Sequence, residues 1–280
     1  MHAPFPCIAG RILAAAAGVA IGWTQAARAS EPVDAPDGWE NVAQVQFLDA
    51  RRAFEARLQA DPADHDARIG LAVALLNVQP RQSANIERAL ALLEEVRSDG
   101  RGEQVIEATY LLARIHQLHR DPADPYKAVE LFDELLAAHP DHPLAQMGFV
   151  EAAMLRLYVL DEASPAATFA TLEQRAAHLS DPTARRDFHL TMAAAASRLR
   201  LGDAAALRHL RAADAVGLAK RNTAGNLYIR AATRARALGQ VDLAEAYERR
   251  FLAEFPRDFR AYTIRQRLGA PATQPAEATP

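Results

Sequence analysis

The stretch KAVELFDELLAAHPDHPLA, residues 127–145, decides how the chain folds. Ala128, Val129, Phe132, Leu135 and Leu136 recur at spacings of three and four, so they share one face of a helix. His139-Pro140 ends that helix, because proline has no N–H to donate and pushes its predecessor out of helical geometry. A second apolar-periodic run starts within a few residues. The same unit recurs. In residues 47–76, Ala50 and Phe54 precede a stop at Asp61-Pro62 and a new helix. In residues 239–268, Ala244 and Phe251 precede a stop at Phe255-Pro256 and a last helix, and a weaker copy stops at Asp181-Pro182. Four helix–proline–helix junctions in one chain are a repeat signal.

Strict apolar/polar alternation bounded by turn residues is missing, so the expectation is an all-α chain. The 280 residues are 50% apolar and 24% charged, the composition of an ordinary soluble protein. Alanine runs at 14–17 and 193–196 favour helix, and Lys127 and Lys220 are the only lysines.

The ends differ from the body. Arg11 precedes the apolar run ILAAAAGVAIGW, and Ala27-Arg28-Ala29 has the small-x-small form of a signal-peptidase site. Residues 1–29 therefore read as a cleaved signal peptide, which makes the protein exported, periplasmic or secreted. The run is short of the roughly 20 residues a membrane anchor needs, so no stable span is expected after cleavage. Cys7, the single cysteine, leaves with the signal, so the mature chain has neither disulfide nor thiol nucleophile. Losing Arg11 and Arg28 from the 32 basic residues leaves 30 against 35 acidic ones, a balance that argues against nucleic acid as a partner. Residues 30–39 read as a flexible lead-in and residues 269–280, GAPATQPAEATP, as a disordered low-complexity tail.

Between them, residues 40–268 resemble the tetratricopeptide repeat (TPR), a helix–turn–helix of about 34 residues with small residues at the eighth and twentieth positions and proline at the thirty-second. Residues 225–258 carry the resemblance best, with Ala231, Ala232, Gly239, Ala244 and Pro256 in register and Glu248 standing where an apolar residue is usual. Residues 106–142 match with Leu112, Ala113, Ala128, Phe132 and Pro140 across a lengthened turn, and residues 65–98 with Leu71, Ala72, Ala89 and Leu93. Residues 143–182 and 183–222 have the length and helical period but few consensus residues. The resemblance implies a right-handed superhelical solenoid of antiparallel helix pairs, each pair covering its neighbour's apolar face, with end helices near Trp39–Ala60 and Phe259–Leu268 as caps.

In that family the first helix of each pair lines a groove. The corresponding positions are Asp66, Ile69, Val73, Leu76 and Asn77; Glu107, Tyr110, Arg114, Gln117 and Leu118; and Asn226, Ile229, Thr233, Arg236 and Ala237. Tyr110 with Arg114 is the expected anchor, since aromatics and arginine dominate interface energies. Ile69, Val73 and Leu76 read equally as packing positions. The lysine–asparagine clamp that some family members close on a peptide carboxylate is absent at these positions.

Signals for chemistry are sparse. His116 and His119 share a helix face and His139 and His142 flank Pro140, but no HExxH or HxH pattern is present and no metal or cofactor is expected. Gly-x-Ser-x-Gly and phosphate loops are missing, and the carboxylate-rich helices read as solvated faces. The expectation is an exported scaffold binding a protein or peptide in the cell envelope, by family analogy in the assembly of an envelope or secretion complex. An exported enzyme with a metal- or carboxylate-based hydrolytic site is the alternative, and self-association through an end of the stack is left open.

Overall fold

The computed structural model describes residues 38–217 and 221–269. The signal expected at 1–29, most of the lead-in and the tail from 270 lie outside them. Among the described residues, regular structure is wholly helical. It begins with α1 (Gly38–Ala43) and α2 (Phe47–Ala60). Two hairpins follow, α3 (His65–Asn77) with α4 (Ser83–Asp99), then α5 (Glu103–Leu118) with α6 (Pro125–Ala138). Next come α7 (Pro143–Tyr158) with α8 (Pro165–Arg175), α9 (Pro182–Arg198) with α10 (Asp203–Val216), and α11 (Arg221–Ala237) with α12 (Val241–Glu254). The last described helix is α13 (Arg260–Arg267). No described helix is long and apolar enough to cross a membrane.

Local chemistry sets the boundaries. Three of the four proline junctions read from the sequence fall between helices, and the fourth, Asp181-Pro182, opens α9. Proline also opens helices: Pro143, Pro165 and Pro182 sit in first turns, where the missing N–H has no partner to lose. Asp64 and Asp181 cap α3 and α9 by accepting from the Ala67 and Ala184 amides at 2.9 and 2.7 Å. The described residues of the stretch 143–222, poor in consensus residues, form the same helix pairs as the rest.

The chain divides at Leu135/Leu136, within α6, into two compact units. In the first, α2 packs on α1 and α3, α3 on α4, and α4 on α5; α3 also touches α5, a first-helix to first-helix contact. Phe54, Leu71, Leu75, Leu93, Leu112 and Phe132 fill its core. In the second, α7 packs on α8 and α9, α9 on α10, α10 on α11, and α11 on α12, with α13 against α12. Two apolar clusters hold it, one around Phe149, Leu172, Phe188 and Met192, the other around Leu227, Tyr228, Phe251 and Ile264. The alanines explain the close crossings: Ala72, Ala89, Ala113, Ala128, Ala231 and Ala244 are all buried, where a larger side chain would hold the backbones apart.

Both ends of the described residues depart from simple caps. Gly38 and Trp39, assigned to the lead-in by sequence, form the start of α1, and the Trp39 indole N–H donates to both carboxylate oxygens of Asp66 at 3.0–3.1 Å. At the other end Phe259 is 86% exposed, and Tyr262, one turn on, also faces solvent.

Candidate binding surfaces on the first helices

Once neighbouring helices are packed, each first helix keeps one stripe that its neighbours cover only in part. In the first unit these stripes hold Asp66, Val73 and Asn77 on α3 and Glu103, Glu107 and Tyr110 on α5, none of them fully buried. Ile69 and Leu76 are buried and belong to the core. Asp66 does not wait for a ligand: besides Trp39 it pairs with Arg57 Nη1 at 2.9 Å, tying α1 and α2 to α3. The Asn77 amide donates to the Val73 carbonyl at 2.8 Å and finishes its own helix. Tyr110 packs its ring on Phe132, centroids 5.8 Å apart. Arg114 is 4% exposed and donates to Gln117 Oε1 at 2.9 Å, and Gln117 is buried with it. The anchor expected from Tyr110 and Arg114 is therefore a packing arrangement: a guanidinium this deep is not presented to a ligand.

Glu107 is different. Burial, with Glu103 and Asp66 nearby, pushes its carboxyl up to about 7. Three carboxylates near the N-terminal ends of α3 and α5 make this face acidic. Arg57 answers Asp66, whereas no described cation pairs with Glu107.

In the second unit the stripes are Met147, Glu151, Met154 and Tyr158 on α7, Asp187, Thr191, Ala194 and Arg198 on α9, and Asn226, Ile229, Arg230, Thr233 and Ala237 on α11. The Tyr158 hydroxyl donates to the Thr191 carbonyl at 3.2 Å, and Arg198 lies over the Tyr158 ring at 5.2 Å. Arg234 bridges α11 to its neighbours through Asp203 Oδ1 at 2.6 Å and Ser197 Oγ at 3.2 Å. Of the predicted positions, Thr233 folds its hydroxyl back to the Ile229 carbonyl, and Asn226 Oδ1 accepts from Arg260 of α13 at 2.8 Å.

Arg236 turns away from the stripe. Its Nη2 donates to Glu248 Oε2 at 2.6 Å, while Arg267 Nη1 donates to Oε1 at 2.5 Å. Glu248, only 1% exposed, is thereby clamped from α11 and α13. The departure from the repeat consensus at Glu248 is thus an ionic lock joining the terminal helix to the last hairpin.

The histidines singled out by sequence remain apart from any metal set: among the described residues no group of three or more potential ligands converges. His116 is buried in α5, and burial lowers its basicity; His119, at the end of the same helix, is driven down to about 4 by burial with Arg81 and Arg114 nearby. His142 caps α7 through Nδ1 on the Leu144 amide. The histidines that do meet were not anticipated. His209 Nε2 lies 3.0 Å from Glu173 Oε1, and its Nδ1 lies 3.0 Å from His189 Nδ1. The network requires Nε2–H on His209, donating to Glu173, and Nδ1–H on His189, donating to His209. Phe169 and Phe188 present edges to the His209 ring, and burial lowers that histidine to about 4, so the chain of three cross-links α8, α9 and α10 in the neutral form. Twenty residues separate the two imidazoles, and no local spacing could have revealed them.

An open cleft of about 310 Å³ lies between α10 and α12. Arg250 crosses its wall, donating to both Asp214 oxygens at 2.6 and 3.1 Å and to the Tyr228 hydroxyl at 3.0 Å. Burial beside Asp214 pushes the Tyr247 hydroxyl up to about 12. Asp214, Tyr228, Tyr247 and Arg250 are bonded to one another, which makes this part of the cleft a seam between second helices.

The paired helices, the alanines at their crossings and the first-helix contacts define a TPR-like helical-repeat protein. No family model matches the chain, and no curated protein matches it. Among solved structures it is similar to a chain of the APC/C hetero-tetramer Cut9–Hcn1, at 16% identity and a TM-score of 0.45, covering 82% of this chain. It spans 41% of that chain's length. It is also similar to TTC0263, a thermophilic TPR protein of Thermus thermophilus, at 20% identity and a TM-score of 0.42, covering 73% of this chain and 97% of that one.

Proposed function

We propose that the protein is an exported scaffold that holds a protein or peptide on its first-helix faces in the cell envelope, periplasmic or secreted, in the assembly of an envelope or secretion complex. One observation carries the reading. The first-helix faces keep charged groups that burial disfavours and that close partners do not neutralise, Glu107 in the first unit and Arg230 in the second. Folding gains nothing from such groups, because a half-buried charge without a partner opposes the compact state. A ligand of complementary charge would supply the missing partner, on helices already held rigid by their neighbours, so little ordering is lost on binding. The signal-like residues 1–29 support the envelope location.

Affinity capture from envelope extract with the full chain tests this, beside a variant carrying Glu107→Lys and Arg230→Glu. The expected result is a partner recovered with the wild type and lost with the variant while far-UV circular dichroism stays unchanged. Equal recovery by both chains counts against the faces as the binding surface. Fractionation with and without residues 1–29 tests the address, with retention in the cytoplasm expected once they are deleted.

A further inference from the structure

We infer that the first-helix face of the second unit binds an acidic peptide segment, with Arg198 and Arg230 as the carboxylate ligands and Tyr158 as the platform beside them. This deepens the proposed function and rests on it.

The geometry begins at the C-terminal half of the face. Tyr158 ends α7, Arg198 ends α9, and Arg230 and Arg234 occupy successive turns of α11. Arg198 is stacked on Tyr158, and the Tyr158 hydroxyl is fixed by the Thr191 carbonyl, so the ring is held in place from two sides. Arg234 is neutralised by Asp203. Arg198 and Arg230 are not: no described carboxylate pairs with either. Arg230 is half-buried beside Arg234 and Tyr158, and its protonated form is disfavoured first by desolvation and then by Arg234. Two acidic residues share the stripes, Asp187 in the N-terminal half of α9 and Glu151 near the middle of α7. Asp187 is about 16 Å along α9 from Arg198 and accepts from Arg186 Nε at 2.9 Å, and Glu151 is about 10 Å along α7 from Tyr158.

A purely structural role accounts for part of this. Arg198 lies in the last turn of its helix, where a cation interacts favourably with the helix dipole. Arg230 has no such reason, since it lies near the middle of α11. Its guanidinium presents a fork suited to a carboxylate, and a chain carrying several carboxylates could engage Arg198 and Arg230 together. The stripe beside them is adaptable, with Met147 and Met154 on α7 and the small Ala194 and Ala237 on α9 and α11. That combination fits an extended acidic segment whose intervening side chains vary, and it gives no sign of a shaped pocket for one small molecule.

The test uses the full chain and a fluorescein-labelled peptide of alternating Glu and Ala, read by fluorescence anisotropy, with the matching Gln/Ala peptide as control. The acidic peptide is expected to bind at least tenfold more tightly than the Gln/Ala peptide. Arg230→Gln and Arg198→Gln are each expected to weaken it roughly tenfold, the loss of one charge-assisted contact. Arg208→Gln, on α10 and paired with Glu173, leaves affinity unchanged. Equal binding of the two peptides, or affinity unmoved by Arg230→Gln and Arg198→Gln in chains with wild-type circular dichroism, overturns the inference. Displacement of the peptide by inorganic phosphate at comparable concentration overturns it in favour of a small-anion site, and tighter binding of a single-stranded oligonucleotide overturns it in favour of nucleic acid. A partner captured from envelope extract that ignores the Glu/Ala peptide would sink this inference and leave the proposed function standing.

Discussion

Replacing Gly70 by alanine is expected to destabilise the first unit, although alanine is the better helix former. A Cβ built on Gly70 in α3 meets the Phe54 ring at 2.2 Å from Cζ, 2.4 Å from Cε1 and 2.6 Å from Cε2. Carbon atoms in contact normally sit about 3.5–4 Å apart, so the ring must move by more than about 1 Å. It has nowhere to go. Phe54 is fully buried, Trp39 meets it edge-on with centroids 5.2 Å apart, and a Cβ on Gly38 would already lie 2.7 Å from the same ring. Overpacking of this kind costs about 1–3 kcal/mol. The helix-propensity gain of alanine over glycine returns about 1 kcal/mol. The net loss expected is therefore up to about 2 kcal/mol, read as a lower urea midpoint by far-UV circular dichroism and by the fluorescence of Trp39 beside the ring. A second change separates this cause from any general damage. Phe54→Leu removes the clashing atoms, so in the double variant the two losses should fall short of their sum by about 1 kcal/mol or more. A Gly70→Ala chain that gains about 1 kcal/mol, the propensity effect alone, would show that α2 and α3 do not approach as described.

The charged groups give two further outcomes. Because Glu107 titrates near 7 when folded against 4.5 unperturbed, the folded chain holds the proton more tightly and loses stability as pH rises through that window. Glu107→Gln should remove the loss, worth roughly 2 kcal/mol above pH 7; denaturation curves of the two chains that stay parallel from pH 4.5 to 8 would sink the assignment. At the ionic lock, Arg236→Met leaves the Glu248 carboxylate buried with one partner fewer and should cost about 2 kcal/mol, whereas Glu248→Leu frees two half-exposed arginines to reach water and should stay within about 1 kcal/mol of wild type. Thermal melts ranking the two in the opposite order would mean that Glu248 is not held by the pair.

What sequence alone made legible was the skeleton. Proline junctions and alanines at close crossings leave a local imprint, and they located the helices and most of the buried positions, including residues 143–222, where only length and period were available. The surface was harder. Arg114 and Tyr110 fall at groove-facing positions of the repeat, yet one is buried and the other is packed on Phe132, because register specifies an angle around the helix and says nothing of how deeply a neighbour covers it. Gly70 escaped notice for a similar reason. The repeat pattern drew attention to Ala72, while the closest approach is made two residues earlier against a ring from the preceding helix. The Glu173–His209–His189 chain and the Glu248 clamp join residues 12 to 36 positions apart, and such contacts exist only after the helices have stacked.

Charge is used in two ways in this protein. Glu248 is buried and has two arginines bonded to it, so its desolvation is offset within the fold and its removal is a question of stability. Arg230 is half-buried and has no described carboxylate, so only Tyr158 favours its charge, against burial and Arg234. Its neighbours on these faces serve the fold, Met147, Tyr158 and Ile229 by packing against the cores and Asn226 by accepting from Arg260, whereas no described carboxylate answers Arg230. Recognition of an acidic segment, as proposed above, supplies a reason for the charge. On that ground Arg230→Gln should raise stability slightly while lowering affinity for acidic peptide, the opposite signs expected of a residue held for binding.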